Sequence, residues 1–130
     1  MPKPGSETQL TPLELEVMKV LWEEGPSTVQ GVHARIQDVR PLAFNTVQTV
    51  LGILYRKGKV RRTLRDRAYT YRPAVTRDVA AGHALRDLID RVFQSRPEEL
   101  VLSMVRSRQL TPGQLADLQK LAEEEGDERG

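Results

Sequence analysis

The chain has 130 residues, 38 % of them apolar and 29 % charged, a balance that builds a packed soluble fold rather than a disordered chain. It contains no cysteine, which excludes disulfides, thiolate metal sites and cysteine nucleophiles and fits a reducing cytoplasm. The net charge is only +2, and neither a run near the ~20 apolar residues of a membrane span nor a signal-peptide core in Met1–Leu10 is present, so membrane insertion is not expected.

Residues 1–10 read as a flexible lead. Thr11-Pro12-Leu13-Glu14 then starts a helix: Thr11 caps, Pro12 loses nothing at the first helical position, and Glu14 stands where a capping-box carboxylate belongs. Leu15, Met18, Leu21 and Trp22 share one stripe, and Gly25-Pro26 ends a helix of about residues 12–24. Ser27-Thr28-Val29-Gln30 repeats the capping logic with Ser27 as cap and Gln30 as its partner. Val29, Val32 and Ile36 carry this second helix to about Asp38.

The third helix is expected from Phe44 or Asn45 to Lys57, closed by Gly58. Val47, Val50, Leu51 and Leu54 must face the core. The opposite face is then Asn45, Gln48, Thr49, Gly52 and Arg56, without an acid or a large apolar group. Amides and hydroxyls followed by a cation suit base edges and phosphates in a major groove, although any exposed helix can carry them.

After Gly58 the period changes from 3.6 to 2. Val60–Leu64 and Ala68–Arg72 read as two strands joined by Arg65-Asp66-Arg67, with Tyr69 and Tyr71 on one face packing onto the helices. Within residues 40–72 there are 9 basic residues and 1 acidic one, the footprint of a polyanion partner. Three helices followed by a basic hairpin make a winged helix-turn-helix over residues 11–75, in which the third helix enters the major groove and the wing lies along the backbone or minor groove.

Residues 76–125 read as three more helices, and the fold class is therefore mainly α with a small β-hairpin wing. The first carries Leu85, Leu88, Ile89 and Val92; the second carries Leu100, Val101 and Met104; the third opens with Thr111-Pro112-Gly113-Gln114 and carries Leu115, Leu118 and Leu121. About 50 residues cannot bury that much apolar surface alone, so these positions are expected to pair with a second copy. Residues 126–130 read as a disordered acidic tail.

The stretches LTPLELEVMKVLWEEGPSTVQGVHARI, NTVQTVLGILYRKGKV and YTYRP resemble the BlaI/MecI/CopY family of repressors, strongly over residues 10–77 and in helix lengths over 78–124. The resemblance implies a homodimeric repressor on double-stranded operator DNA with an inverted repeat, its half-sites about one helical turn apart. It makes Asn45, Thr46, Gln48 and Thr49 the base readers, and Arg56, Lys59, Arg65 and Arg67 the contacts to phosphate or minor groove. It also implies a membrane-bound sensor metalloprotease of the BlaR/MecR type that relieves repression by cutting the second C-terminal helix. The Asn-Phe bond of penicillinase repressors falls at Ser103-Met104, and both residues differ. Two further departures are Gly52-Ile53, where relatives often have a polar residue and Arg, and the absence of the cysteine cluster of the copper-responsive members.

An enzyme is disfavoured, because no HExxH motif or Gly-rich phosphate loop accompanies His33 and His83. No cofactor and no metal are expected. The alternative is a winged helix that binds proteins only, for which the basic segment has no use.

Overall fold

The computed structural model describes residues 9–129. Three helices, α1 (Pro12–Glu24), α2 (Val29–Ile36) and α3 (Phe44–Arg56), stand where the apolar stripes require them. The α1 start carries both halves of the capping box: the Thr11 hydroxyl accepts from the Glu14 amide at 3.2 Å, and the Glu14 carboxylate accepts from the Thr11 amide at 3.0 Å. Two amide donors left open by a helix start are thereby satisfied.

The α2 cap is one residue later than expected. Thr28, not Ser27, accepts from the Gly31 amide at 3.1 Å. Ser27 and Thr28 instead form a short strand, β1. It pairs antiparallel with β3 (Ala68–Pro73), which pairs antiparallel with β2 (Val60–Arg65), giving a three-stranded sheet ordered β1-β3-β2. Two residues are too few for a period of two to be recognised, so the third strand had no sequence signal. Helix α2 also stops at Ile36, two residues short of Asp38. Gln37 then bridges the α2–α3 connection, donating to the carbonyls of His33 (3.0 Å) and Leu42 (2.8 Å).

Val17, Met18, Leu21, Val32, Ile36, Val47, Leu51 and Leu54 are fully buried and form one core, closed by Val60 and Tyr71 of the sheet. Leu15 and Trp22, expected on the α1 core stripe, are only half buried. Helix α1 packs against both α2 and α3, so its buried face is rotated toward Val17 and Val20. Trp22 serves differently: its Nε1 donates to the Val75 carbonyl at 2.9 Å, tying α1 to the chain beyond the wing.

Of the expected flexible lead, residues 1–8 lie outside the described part, and Gln9 and Leu10 are held in place. Leu10 packs against the core, and Gln9 Nε2 donates to the His83 carbonyl at 3.1 Å.

Three further helices follow: α4 (Arg77–Val92), α5 (Pro97–Arg106) and α6 (Pro112–Arg129). Thr111 and Gln114 repeat the α1 cap reciprocally, at 2.9 and 3.1 Å. Helix α6 runs through residues 126–129, where a disordered tail is expected from the acidic run. The chain divides into two compact units between Leu85 and Arg86, within α4.

Candidate nucleic-acid interface

Helix α3 is closed by a Schellman turn. Gly58, at φ 75°, lets its amide donate to the Tyr55 carbonyl (3.0 Å) while the Lys59 amide donates to Leu54 (2.9 Å). The chain reverses there directly into β2, so the outer face of α3 and the wing are joined by only a few residues. With Val47, Val50, Leu51 and Leu54 inward, Asn45, Gln48, Thr49 and Arg56 are exposed and Thr46 is half buried. Gly52 lies on the same outer face with no atom within 4 Å of a Cβ added to it.

The wing turn is Asp66-Arg67, flanked by the paired residues Arg65 and Ala68. Both turn residues have positive φ, 49° and 68°, the type I′ arrangement that matches strand twist but favours Asn-Gly. Arg65 and Arg67 are both exposed. Along the strands, Val60, Arg62, Leu64, Tyr69 and Tyr71 share the face turned to the helices, while Arg61, Thr63, Arg65, Thr70 and Arg72 share the outer one.

Tyr69 departs from the expectation that both tyrosines pack onto the helices. Tyr71 is buried, whereas Tyr69 is 39 % exposed and flanks a cation. The Arg62 guanidinium lies 3.8 Å from the Tyr55 ring centre and 4.0 Å from that of Tyr69. Arg62 thus links the wing to the last turn of α3 by stacking on both. Neither tyrosine's sequence neighbours disclose this, because the three residues come from three elements.

The charges on this side are positive except for Asp66 at the turn. Arg61 and Arg72 stand directly opposite each other across the strands, and Arg72 donates to Thr63 Oγ1 at 3.0 Å. Like charges so placed are destabilising in an isolated sheet. Among the described residues, Arg56, Arg61, Arg65, Arg67 and Arg72 have no carboxylate within ion-pair distance. In the helical scaffold behind this face Arg35 reaches Glu23, Glu24 and Asp38, and Lys57 reaches Glu14. Arg61 and Arg72 were not singled out in the sequence, although period-two alternation would place them on one face with Arg65.

Lys59 is buried rather than presented to solvent. It was expected against DNA, but it is 7 % exposed and lines a groove beside α1 and α4. Burial, aided by the neighbouring Lys57 charge, pushes its ammonium below the usual lysine range, against the opposing pull of Glu14. A lysine held there does not offer its charge to phosphate.

The residues expected to pair two copies are largely uncovered. Leu85, Leu88, Val92, Val101, Leu115, Leu118 and Leu121 are exposed, and Ile89, Leu100 and Met104 half buried. Ser103 and Met104 lie within α5, with the Ser103 carbonyl accepting from the Ser107 amide at 2.9 Å and that of Met104 from the Gln109 amide at 2.9 Å. No cluster of three or more metal-ligating side chains occurs among the described residues.

A family model for penicillinase repressors matches residues 10–124. The transcriptional regulator BlaI of Mycobacterium tuberculosis is 35 % identical over 96 residues, 73 % of this chain and 70 % of that protein. The penicillinase repressor of Bacillus licheniformis is 24 % identical over 116 residues, covering 89 % of this chain and 91 % of that one. Among solved structures, the solution structure of the DNA-binding domain of the repressor BlaI aligns with a TM-score of 0.50 at 28 % identity, over 59 % of this chain and 90 % of that one.

Proposed function

Since the chain belongs to the penicillinase repressor family, whose members are transcription repressors, we propose that it represses as a homodimer bound to an inverted-repeat operator. Each copy lays α3 in a major groove and its wing along the adjacent backbone or minor groove. Asn45, Thr46, Gln48 and Thr49 read base edges. Arg56, Arg65 and Arg67 hold phosphates or the minor groove, and Arg61 and Arg72 add to the positive field of the wing.

The observation that carries this proposal is the clustering of charge. Arg56 at the end of α3 and Arg61, Arg65, Arg67 and Arg72 of the wing, all without a carboxylate partner among the described residues, gather beside a helix face that carries no acid. Self-repelling cations around a polar helix face are costly without a polyanion and useful with one.

Exposed leucines and valines on α4, α5 and α6 support a second copy as the surface that covers them. Residues 76–125 are thus read as the dimerisation segment, and residues 11–75 as the DNA-binding one. Relief by a BlaR/MecR-type sensor protease would act at Ser103-Met104. That bond is helical, and proteases bind extended chain, so cleavage requires α5 to open first.

A mobility-shift titration on the chain's own upstream promoter, at two salt concentrations and with scrambled competitor, tests the proposal. Specific retention that weakens with salt and saturates at one dimer per site is expected. Retention no better than on scrambled DNA, there and on a genome-wide library of fragments, overturns it in favour of a winged helix that binds proteins.

A further inference from the structure

A groove of about 510 Å³ runs between α1 and the first turns of α4, wholly within the first compact unit. Leu15 and Trp22 wall one side, and Ala80, Ala81 and Ala84 the other. The Trp22 ring is held by its hydrogen bond to Val75, and the Arg77 guanidinium lies 5.8 Å from its centre. The alanines keep the opposite wall shallow where larger side chains would close it. The volume is that of an ordinary small-molecule site, and such sites are mostly apolar with a few convergent polar groups.

The polar group here is Lys59. It is more than nine-tenths buried, lines the groove, and has no hydrogen-bond partner for its ammonium among the described residues. Among the described residues no side-chain nitrogen or oxygen is both sealed from solvent and unpartnered, so the Lys59 ammonium keeps a residual opening to solvent. A buried cation without a partner is costly, and an anionic ligand supplies what is missing. Arg77 also lines the groove, as do Glu23 and a Lys19 already paired with Glu16 at 3.4 Å. A cation would meet the charges of Lys59 and Arg77, and a neutral ligand would leave Lys59 unpaired.

We infer that this groove is a binding site for a small organic anion, a carboxylate on an aromatic or aliphatic body. The body lies between Trp22 and the alanines, and the carboxylate meets Lys59. A consequence for DNA rests on the repressor reading. The Lys59 amide donates to Leu54 in the last turn of α3, and its carbonyl accepts from Ala74 just beyond β3, at 2.8 Å. Occupancy therefore reaches the root of the reading helix and of the wing.

The intact protein is titrated with 2-naphthoate by calorimetry, while the indole N–H resonance of Trp22, the chain's single tryptophan, reports position. Saturable binding that moves the Trp22 signal is expected. Lys59→Met and the neutral probe 2-naphthamide should each weaken it by about tenfold or more, and Ala81→Leu should abolish it by filling the groove. Lys59→Met removes a buried charge and is expected to fold, so its effect is readable. Absence of saturable binding up to about 1 mM, or equal affinity in Lys59→Met, overturns the site; the latter would mean that naphthoate sits on the exposed apolar helices. Operator affinity measured with and without naphthoate is a separate arm. No change there overturns the coupling alone, and failure to bind operator at all counts against the repressor reading rather than the groove.

Discussion

Lys57, at the end of α3, places its Nζ 2.8 and 3.0 Å from the two carboxylate oxygens of Glu14, in the first turn of α1. The Glu14 side chain is 6 % exposed and that of Lys57 22 %. The same carboxylate caps α1 through the Thr11 amide, and the same ammonium reaches the Gln9 carbonyl at 3.3 Å. One buried pair therefore joins the start of the scaffold helix to the end of the reading helix.

Breaking that pair from one side should be expensive. Lys57→Met leaves the Glu14 carboxylate buried without its partner, and a loss of about 3–5 kcal/mol is expected in urea unfolding. The double variant Glu14→Gln/Lys57→Met should recover most of it, because no bare charge remains. Equal losses in the single and double variants would mean that the pair contributes through packing alone.

Readers and anchors should separate in DNA binding. Gln48→Ala and Thr49→Ala should relax sequence preference, each base contact being worth about 1–3 kcal/mol. Arg67→Ala should weaken all sequences alike and lower the slope of log affinity against log salt by about one. Selection on randomised operators together with salt titration distinguishes these roles; the reverse pattern would exchange them.

The wing turn holds two non-glycine residues at positive φ. Asp66→Asn/Arg67→Gly installs the dipeptide preferred by a type I′ turn and should raise stability by about 1 kcal/mol. The same change removes one of the proposed DNA anchors, so thermal stability should rise while DNA affinity falls. A rise in both would remove Arg67 from the interface.

Lys59 carries a pH signature with a definite sign. Its proton is held less tightly folded than unfolded, so the unfolded state binds more protons over the interval between the lowered value and the ordinary 10.5. The penalty is full below that interval and disappears as pH rises through it. Lys59→Met should therefore melt higher than the native chain at pH 7, by several degrees at most, with the difference shrinking toward pH 10.5. A difference independent of pH would trace the gain to packing of the methionine.

The helices were legible in the sequence because their signals are local. Thr11 with Glu14, and Thr111 with Gln114, act over three residues, and the spacing of Val47, Val50, Leu51 and Leu54 selects the buried face of α3 without knowledge of its partners. That face in turn determines which residues α3 presents outward, so Asn45, Gln48 and Thr49 could be named from the chain alone. Tertiary structure decided what depends on residues far apart in sequence. Glu14 meets Lys57 across 43 positions, and Ser27-Thr28 becomes a strand only because β3 lies beside it. Lys59 belongs to a basic run of the sequence, yet after the turn at Gly58 it is buried in the groove beside α1 and α4, while Arg61 and Arg65 stand exposed. Charge counted along a chain is one-dimensional, and whether a cation meets a phosphate, a carboxylate or an apolar wall depends on the direction in which its backbone leaves the preceding turn.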